Sequence, residues 1–294
     1  MKISIIIPVY NGAQFIEKRF KEIESYHNPE AEFIFVNDGS TDDSLRLLWK
    51  YRDKTSQDIV ILSMLENQGC LKAIRLGLDI ASHDSVLTID IDDPFSFSYL
   101  EGLAFDLEAQ PPHTMITIPK QLFVNGKPNG QVWRIPQYDK PEQYIVSLFI
   151  NHSGLIALNN TIHDRKMMIK ACDEAIKLLE VIGVERMDYG EDTLRASIMI
   201  HQGLVSKILP SRTYSVPYTF DNSESQSKDN DKKMRDKPVM VAYAYYCVYS
   251  EIDEEMRNRF ADICRNKYGD RADWFAGEVE RYVEKMRVYY KQLS

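Results

Sequence analysis

No run of about 18 apolar residues occurs anywhere in this chain, so no membrane-spanning helix is expected. The opening run, residues 1–7, is too short for the apolar stretch of a signal peptide and meets Pro8 and Asn11 without a small-residue cleavage site. Cysteine is scarce and scattered: Cys70, Cys172, Cys247 and Cys264 form no C-x-x-C pair, a spacing poor for zinc and for a disulfide framework. They read as small buried hydrophobes of a chain held in a reducing cytoplasm. Positive charge is short as well, with 36 Lys and Arg against 44 Asp and Glu, a net charge of −8. A general binder of nucleic-acid backbone needs a clustered basic face, which this balance argues against. An anionic small molecule stays open, because one local site or one metal ion overrules an average charge. No Ser-His-Asp or Cys-His arrangement stands out for covalent catalysis.

What the chain does have is the mixture of an ordinary globule, 44% hydrophobic and 27% charged over 294 residues, enough for one large domain or two smaller ones. Up to Thr114, apolar runs alternate with helical patterns. Strands are expected at residues 3–9, 32–36, 58–64 and 85–91, with helices at 14–26, from the Ser40-Thr41-Asp42-Asp43 cap onward, and at 69–81. Such alternation implies a parallel sheet with ligands at the carboxyl ends of its strands. Beyond it come shorter strands at 115–119 and 121–124 with an Asn125-Gly126 turn, helices at 164–182 and 192–201, and strands at 205–209 and 214–220. Residues 223–238 are almost wholly polar and read as a linker or mobile loop; 239–294 read as helical. Ser250 and Asp253 resemble a capping box there, with Gly269 closing that helix. Phe275, Val279, Tyr282, Met286, Tyr289 and Leu293 form a stripe that packs on its own domain, seams a homodimer or touches a membrane surface.

Three acidic clusters fall where strands or loops end: Asn37-Asp38, Asp90-Ile91-Asp92-Asp93 and Glu191-Asp192. The second places three carboxylates within four residues of an apolar run. Like charges that close repel unless a cation neutralises them, and a hard divalent ion does so while leaving positions for substrate phosphates. A solvated acidic turn is the plainer alternative. Asp38 likewise either caps backbone N–H groups or accepts from a nucleobase N–H. Glu191-Asp192 either complements the dipole of the helix it opens or carries a base; a cap position would itself fix the carboxylate.

Taken in order, the segments are Ile5-Ile6-Ile7-Pro8-Val9-Tyr10-Asn11, then Phe35-Val36-Asn37-Asp38-Gly39-Ser40-Thr41-Asp42, then Glu66-Asn67-Gln68-Gly69 with Ala73 and Arg75. Thr88-Ile89-Asp90-Ile91-Asp92-Asp93 and Gly190-Glu191-Asp192-Thr193-Leu194 follow. This series resembles the family 2 glycosyltransferases, inverting enzymes that use nucleotide-diphosphate sugars. The resemblance covers roughly residues 1–220. It implies an α/β chain of GT-A fold, Rossmann-like, with a mostly parallel sheet flanked by helices over 1–222 and a C-terminal helical extension. It also implies that Pro8, Val9 and Tyr10 line the nucleobase slot, with Asp38 accepting from the base. Asp90 would face the ribose, and Asp92, with Asp93 beside it, would bind Mn²⁺ or Mg²⁺. Arg75 would give structural support or lie near the diphosphate. Asp192, beside Glu191, would deprotonate the acceptor hydroxyl.

The expected partners are therefore a nucleotide-diphosphate sugar, UDP by default, and a glycan or lipid-linked acceptor. The expected setting is bacterial surface polysaccharide synthesis in the cytoplasm, with peripheral contact at the inner membrane face through the last helix as one option. A catalytically silent nucleotide-sugar binder or scaffold, assembling through the C-terminal helices, is the alternative. Departures from the family pattern are Asn37 in place of a frequent Asp, Pro94-Phe95 directly after the acidic cluster, and residues 214–222, which lack an Arg or His to face the diphosphate or metal. His152 lies near the expected acceptor side.

Overall fold

Ile3–Val9 (β1) is apolar at almost every position and buried at all seven, as a central parallel strand covered on both faces must be. Its neighbours are Ala31–Asp38 (β2) on one side and Ser85–Thr88 (β4) on the other, both parallel, with Ile5 registered against Phe33 and Leu87. Asp58–Met64 (β3) extends the sheet beyond β2. The computed structural model describes residues 2–93, 95, 97, 100, 114–117, 120–124, 127–133, 143, 145–146, 161–203, 205–208, 216–219, 230–248 and 253–293. Within these the larger sheet has the order β3-β2-β1-β4-β8-β5-β9, where β5 is Thr114–Thr117, β8 Thr161–Asp164 and β9 Val205–Ile208. β8 runs antiparallel between β4 and β5; β5 and β9 pair in parallel. A second sheet joins β6 (Lys120–Val124) to β7 (Lys127–Trp133) and β10 (Val216–Thr219).

Helices cover the larger sheet on both faces. Ala13–Glu24 (α1) buries Ile16, Phe20 and Ile23, and Phe20 stacks on Phe35 with ring centroids 5.1 Å apart. Cys70–Ile80 (α3) packs on the other face, where Gly77 meets Ile6 and Val36. Ser44–Arg52 (α2) crosses between β2 and β3. Because the chain runs from β1 out to β3 and returns to β4 on the far side of β1, the strand order reverses between β1 and β4. In such sheets the crevice outside the carboxyl ends at that reversal is where ligands bind.

Two compact units divide the chain. The first holds residues 1–137, 158–172 and 205–227, and so both sheets. The second holds 138–157, 173–204 and 228–294. Its described helices are the main part of Arg165–Ile182 (α4), Glu191–His201 (α5), Asn230–Cys247 (α6), Glu254–Tyr268 (α7) and Ala272–Leu293 (α8). Of the expected stripe, Phe275, Val279, Tyr282 and Met286 are buried within this unit, Tyr289 is half-buried and Leu293 is exposed. No helix among the described residues is long and apolar enough to cross a membrane.

Several expectations shift. The fourth strand ends at Thr88 rather than 91, because the carbonyls of Asp90 and Ile91 turn to Arg19 instead of a neighbouring strand. β7 was not expected: Pro128 and Gly130 break its pattern, and an edge position tolerates them. The cap of α7 is Asp253, which accepts from the Met256 N–H at 2.8 Å, while Ser250 lies outside the described residues. The polar stretch 223–238 is helical from Asn230, its charges held by ion pairs such as Arg271–Asp231 and Arg235–Asp236. None of the four cysteines is in a disulfide; Cys172 and Cys264 are buried, Cys70 and Cys247 partly so.

Candidate active site

The loops leaving β1 and β2 are tied together by side chains that stand in for backbone partners. Asn11, at φ 49°, turns its Oδ1 to accept from the Thr41 N–H at 2.8 Å and the Asp42 N–H at 3.3 Å. The Asn11 N–H donates to Ser40 Oγ and the Gly12 N–H to Ser44 Oγ. Asp42 accepts from Ala13 N–H and Ser44 N–H. Burial alone would raise the Asp42 pKa, but the hydrogen bonds from Ser44 and Ala13 hold it below the usual carboxylate range. On this platform Tyr10 stands 48% exposed, whereas Pro8 and Val9 are buried. Of the three residues assigned to a base slot, Tyr10 is thus the one with a face to offer.

Asp38, at the end of β2, is buried. Its Oδ1 accepts from the Gln68 N–H at 2.8 Å and its Oδ2 from the Gly69 N–H at 2.9 Å, which fastens the loop that opens α3. Gly39 beside it has φ +61°, and a Cβ there would lie 2.3 Å from the Glu66 carbonyl carbon, so a side chain is excluded. Asn37 donates to Ser63 Oγ at 3.0 Å. Arg75 pairs along α3 with Asp79 at 2.5 Å.

Asp90, Ile91, Asp92 and Asp93 are all half-exposed. Beneath them lies Arg19 of α1, only 1% exposed, which donates to the carbonyls of Asp90 at 2.9 Å, of Ile91 at 3.4 Å and of Asp93, and pairs with Glu22 at 2.7 Å. Burial pulls the Arg19 pKa down against the opposing pull of Glu22, Asp93, Asp90 and Asp92. Sequence reading missed Arg19, although a signal was present. It falls on the Ile16, Phe20, Ile23 stripe, at a core-facing position where a solvated charge does not belong. Arg19 thus holds the loop through its main-chain carbonyls.

Among the described residues, no three His, Cys, Asp or Glu side chains converge to hold a metal. What the loop offers is carboxylate oxygen alone. That suits a hard divalent ion such as Mg²⁺ or Mn²⁺, bound by one or two carboxylates and completed by substrate phosphates.

In the second unit, Glu191 and Asp192 form the first turn of α5, both half-buried. Asp192 accepts from the Thr193 N–H at 2.6 Å, and Glu191 pairs with the buried Arg195 at 3.4 Å. Gly190 precedes them in the left-handed region. Pro94 and His152 lie outside the described residues, and of residues 214–222 only the strand β10 is described.

Residues 4–170 match the family model described as Glycosyl transferase family 2. Among curated proteins, a poly-beta-1,6-N-acetyl-D-glucosamine synthase of Staphylococcus aureus is 29% identical over 90 residues, 31% of this chain and 21% of that protein. The S. aureus poly(ribitol-phosphate) beta-N-acetylglucosaminyltransferase TarS is 30% identical over 131 residues, 43% of this chain and 22% of that protein. The chain thus matches only 21% to 22% of the length of these relatives. Among solved structures, S. aureus TarS 1–349 in complex with UDP-GlcNAc superposes with a TM-score of 0.57 at 18% identity, covering 99% of this chain and 92% of that one. The mannosyltransferase PcManGT from Pyrobaculum calidifontis, in complex with GDP-Man and Mn²⁺, gives 0.53 at 14% identity, covering 98% and 86%. At such identities the likeness establishes the fold, which is GT-A.

Proposed function

This chain belongs to glycosyl transferase family 2, and from that membership we propose that it is an inverting, divalent-metal-dependent glycosyltransferase. Its donor is a nucleoside-diphosphate sugar, a UDP-sugar, and its acceptor a hydroxyl of a glycan or lipid-linked glycan in bacterial surface polysaccharide synthesis. The UDP preference draws support from the similar TarS structure, which holds UDP-GlcNAc. The observation that carries the reading is the Asp90–Asp93 loop. There Arg19 holds the main chain at the strand-order reversal, and three carboxylates fall within four positions.

The roles follow from the chemistry of each group. Tyr10 offers a ring face to the base, and Asp38, with two of its four lone-pair positions on Gln68 and Gly69 N–H groups, accepts the base N–H. Asp90 accepts from the ribose, while Arg75, paired with Asp79, supports α3. Asp92, with Asp93 beside it, would hold the divalent ion, whose contribution when bound would be to draw negative charge off the leaving diphosphate. Asp192 takes the acceptor proton as the hydroxyl oxygen attacks the anomeric carbon from the face opposite the diphosphate. One displacement of this kind inverts the configuration and needs no covalent enzyme intermediate.

A thermal-shift and donor-hydrolysis panel of UDP, GDP and TDP and their sugars, with and without Mn²⁺, tests the proposal. UDP with Mn²⁺ is expected to raise the melting temperature, and Asp92→Ala to abolish the rise. Asp192→Asn should keep the shift yet lose turnover by about 100-fold or more. No shift with any nucleotide would overturn the reading.

A further inference from the structure

The segment that leads into Asp192 is gripped by α6 at consecutive points. Asp236, with no exposed surface, accepts from the Asp188 N–H at 2.7 Å and the Tyr189 N–H at 3.0 Å, both on Oδ2. Arg235 pairs with Asp236 at 2.6 Å and reaches the Asp188 carboxylate at 2.8 Å. Lys237 lies 5.9 Å from the ring centre of Tyr189. Met240 occupies the space beside Gly190, where a Cβ would fall 2.2 Å from its sulfur. Three consecutive residues, 188 to 190, thus have their main chain or side chains fixed by one helix, and residue 192 follows two positions later.

Burying a carboxylate to satisfy two main-chain N–H groups is a costly way to hold a loop that needs only general order. It makes sense where the direction of the next residues matters. We propose that Asp236, supported by Arg235 and Met240, is a positioning residue for the general base: α6 sets the placement of Asp192 through the main chain of Asp188–Gly190. The inference rests on the reading of Asp192 as that base. It gives the C-terminal helical segment a part in the chemistry rather than in assembly alone.

The test measures UDP affinity and turnover of the donor selected by the panel above, in Asp236→Asn, Asp192→Asn and the double variant. Asp236→Asn should lower kcat about tenfold or more, as a small misplacement of a reacting group does, with the Kd for UDP within twofold of the parent. The double variant should be no slower than Asp192→Asn alone, since Asp236 acts only through that carboxylate. A purely structural role would instead lower the active fraction and the melting temperature, leaving kcat per UDP-binding site unchanged, and would overturn the proposal. A double variant slower than Asp192→Asn would overturn it as well.

The two readings fail separately. If Asp192→Asn retains turnover, the base assignment falls and this inference with it. If Asp192→Asn is inactive while Asp236→Asn keeps full kcat, the inference alone falls. Should Asp236→Asn not fold, Arg235→Gln, at a half-exposed side chain, is expected to lower kcat a few-fold with unchanged UDP affinity; unchanged kcat there counts against the proposal.

Discussion

Arg19 keeps its charge in the core because what it meets there is oxygen: three carbonyls of the acidic loop and the Glu22 carboxylate. Arg19→Met fills a similar volume but leaves those carbonyls without their donor. The expected cost is about 3 kcal/mol, by analogy with breaking a buried ion pair from one side. Amide exchange at Ile91–Asp93 should accelerate in the same variant, with Arg19→Lys intermediate, since Lys supplies donors without the planar fork. Unchanged exchange in the Met variant would show that the loop holds itself. At this scale the sequence was readable by residue type and opaque by partner. A carboxylate at the end of β2 was evident in Asp38, but not its employment by Gln68 and Gly69, 30 and 31 residues on. Spacing reports what lies on one face of one element; it carries no information about which distant main-chain groups a fold leaves unsatisfied.

Elements were legible where one physical signal ruled them. Strands β1 to β3 and helices α1 to α3 follow from apolar runs and 3.6-residue stripes, so their order and the fold class emerged together. The segment before α5 shows the opposite case, since its order comes from charges on another helix. Asp188 is partly buried, which would raise its pKa, yet Arg235 and Arg186 hold it below the ordinary value of 3.8. A carboxylate depressed in the folded state contributes stability that is fully present above its unfolded pKa. That contribution is lost as pH falls through the folded value. Melting temperature should therefore fall as pH drops below 3.8, and Asp188→Asn should flatten that part of the curve. Equal acid slopes in the two proteins would remove Asp188 from the account.

At the scale of the whole molecule, the chain passes from the first unit to the second after residue 227, within the polar stretch 223–238, and the parts of the two units interleave along the chain. Composition hid this, because 230–238 is polar by count while Asp236 within it has no exposed surface. The second unit draws α5 from 173–204 and α6 to α8 from 228–294, so both stretches supply its buried residues. Val239, Met240, Val241, Phe275, Val279 and Met286 are buried there, together with Leu194, Ile198 and Met199 of α5. Ending the chain after residue 229 would strip α5 of those partners and leave the Asp188 and Tyr189 N–H groups without their acceptor. The truncated chain is expected to lose protection of α5 amides in hydrogen exchange and to be cleaved by protease within 183–203. The first unit contains both sheets and the Arg19-held loop, and is expected to keep its own amide protection at β1 and β2. Retained α5 protection after truncation would mean that residues 173–204 fold without the C-terminal helices. Loss of protection in β1 and β2 as well would show that the two units unfold as one.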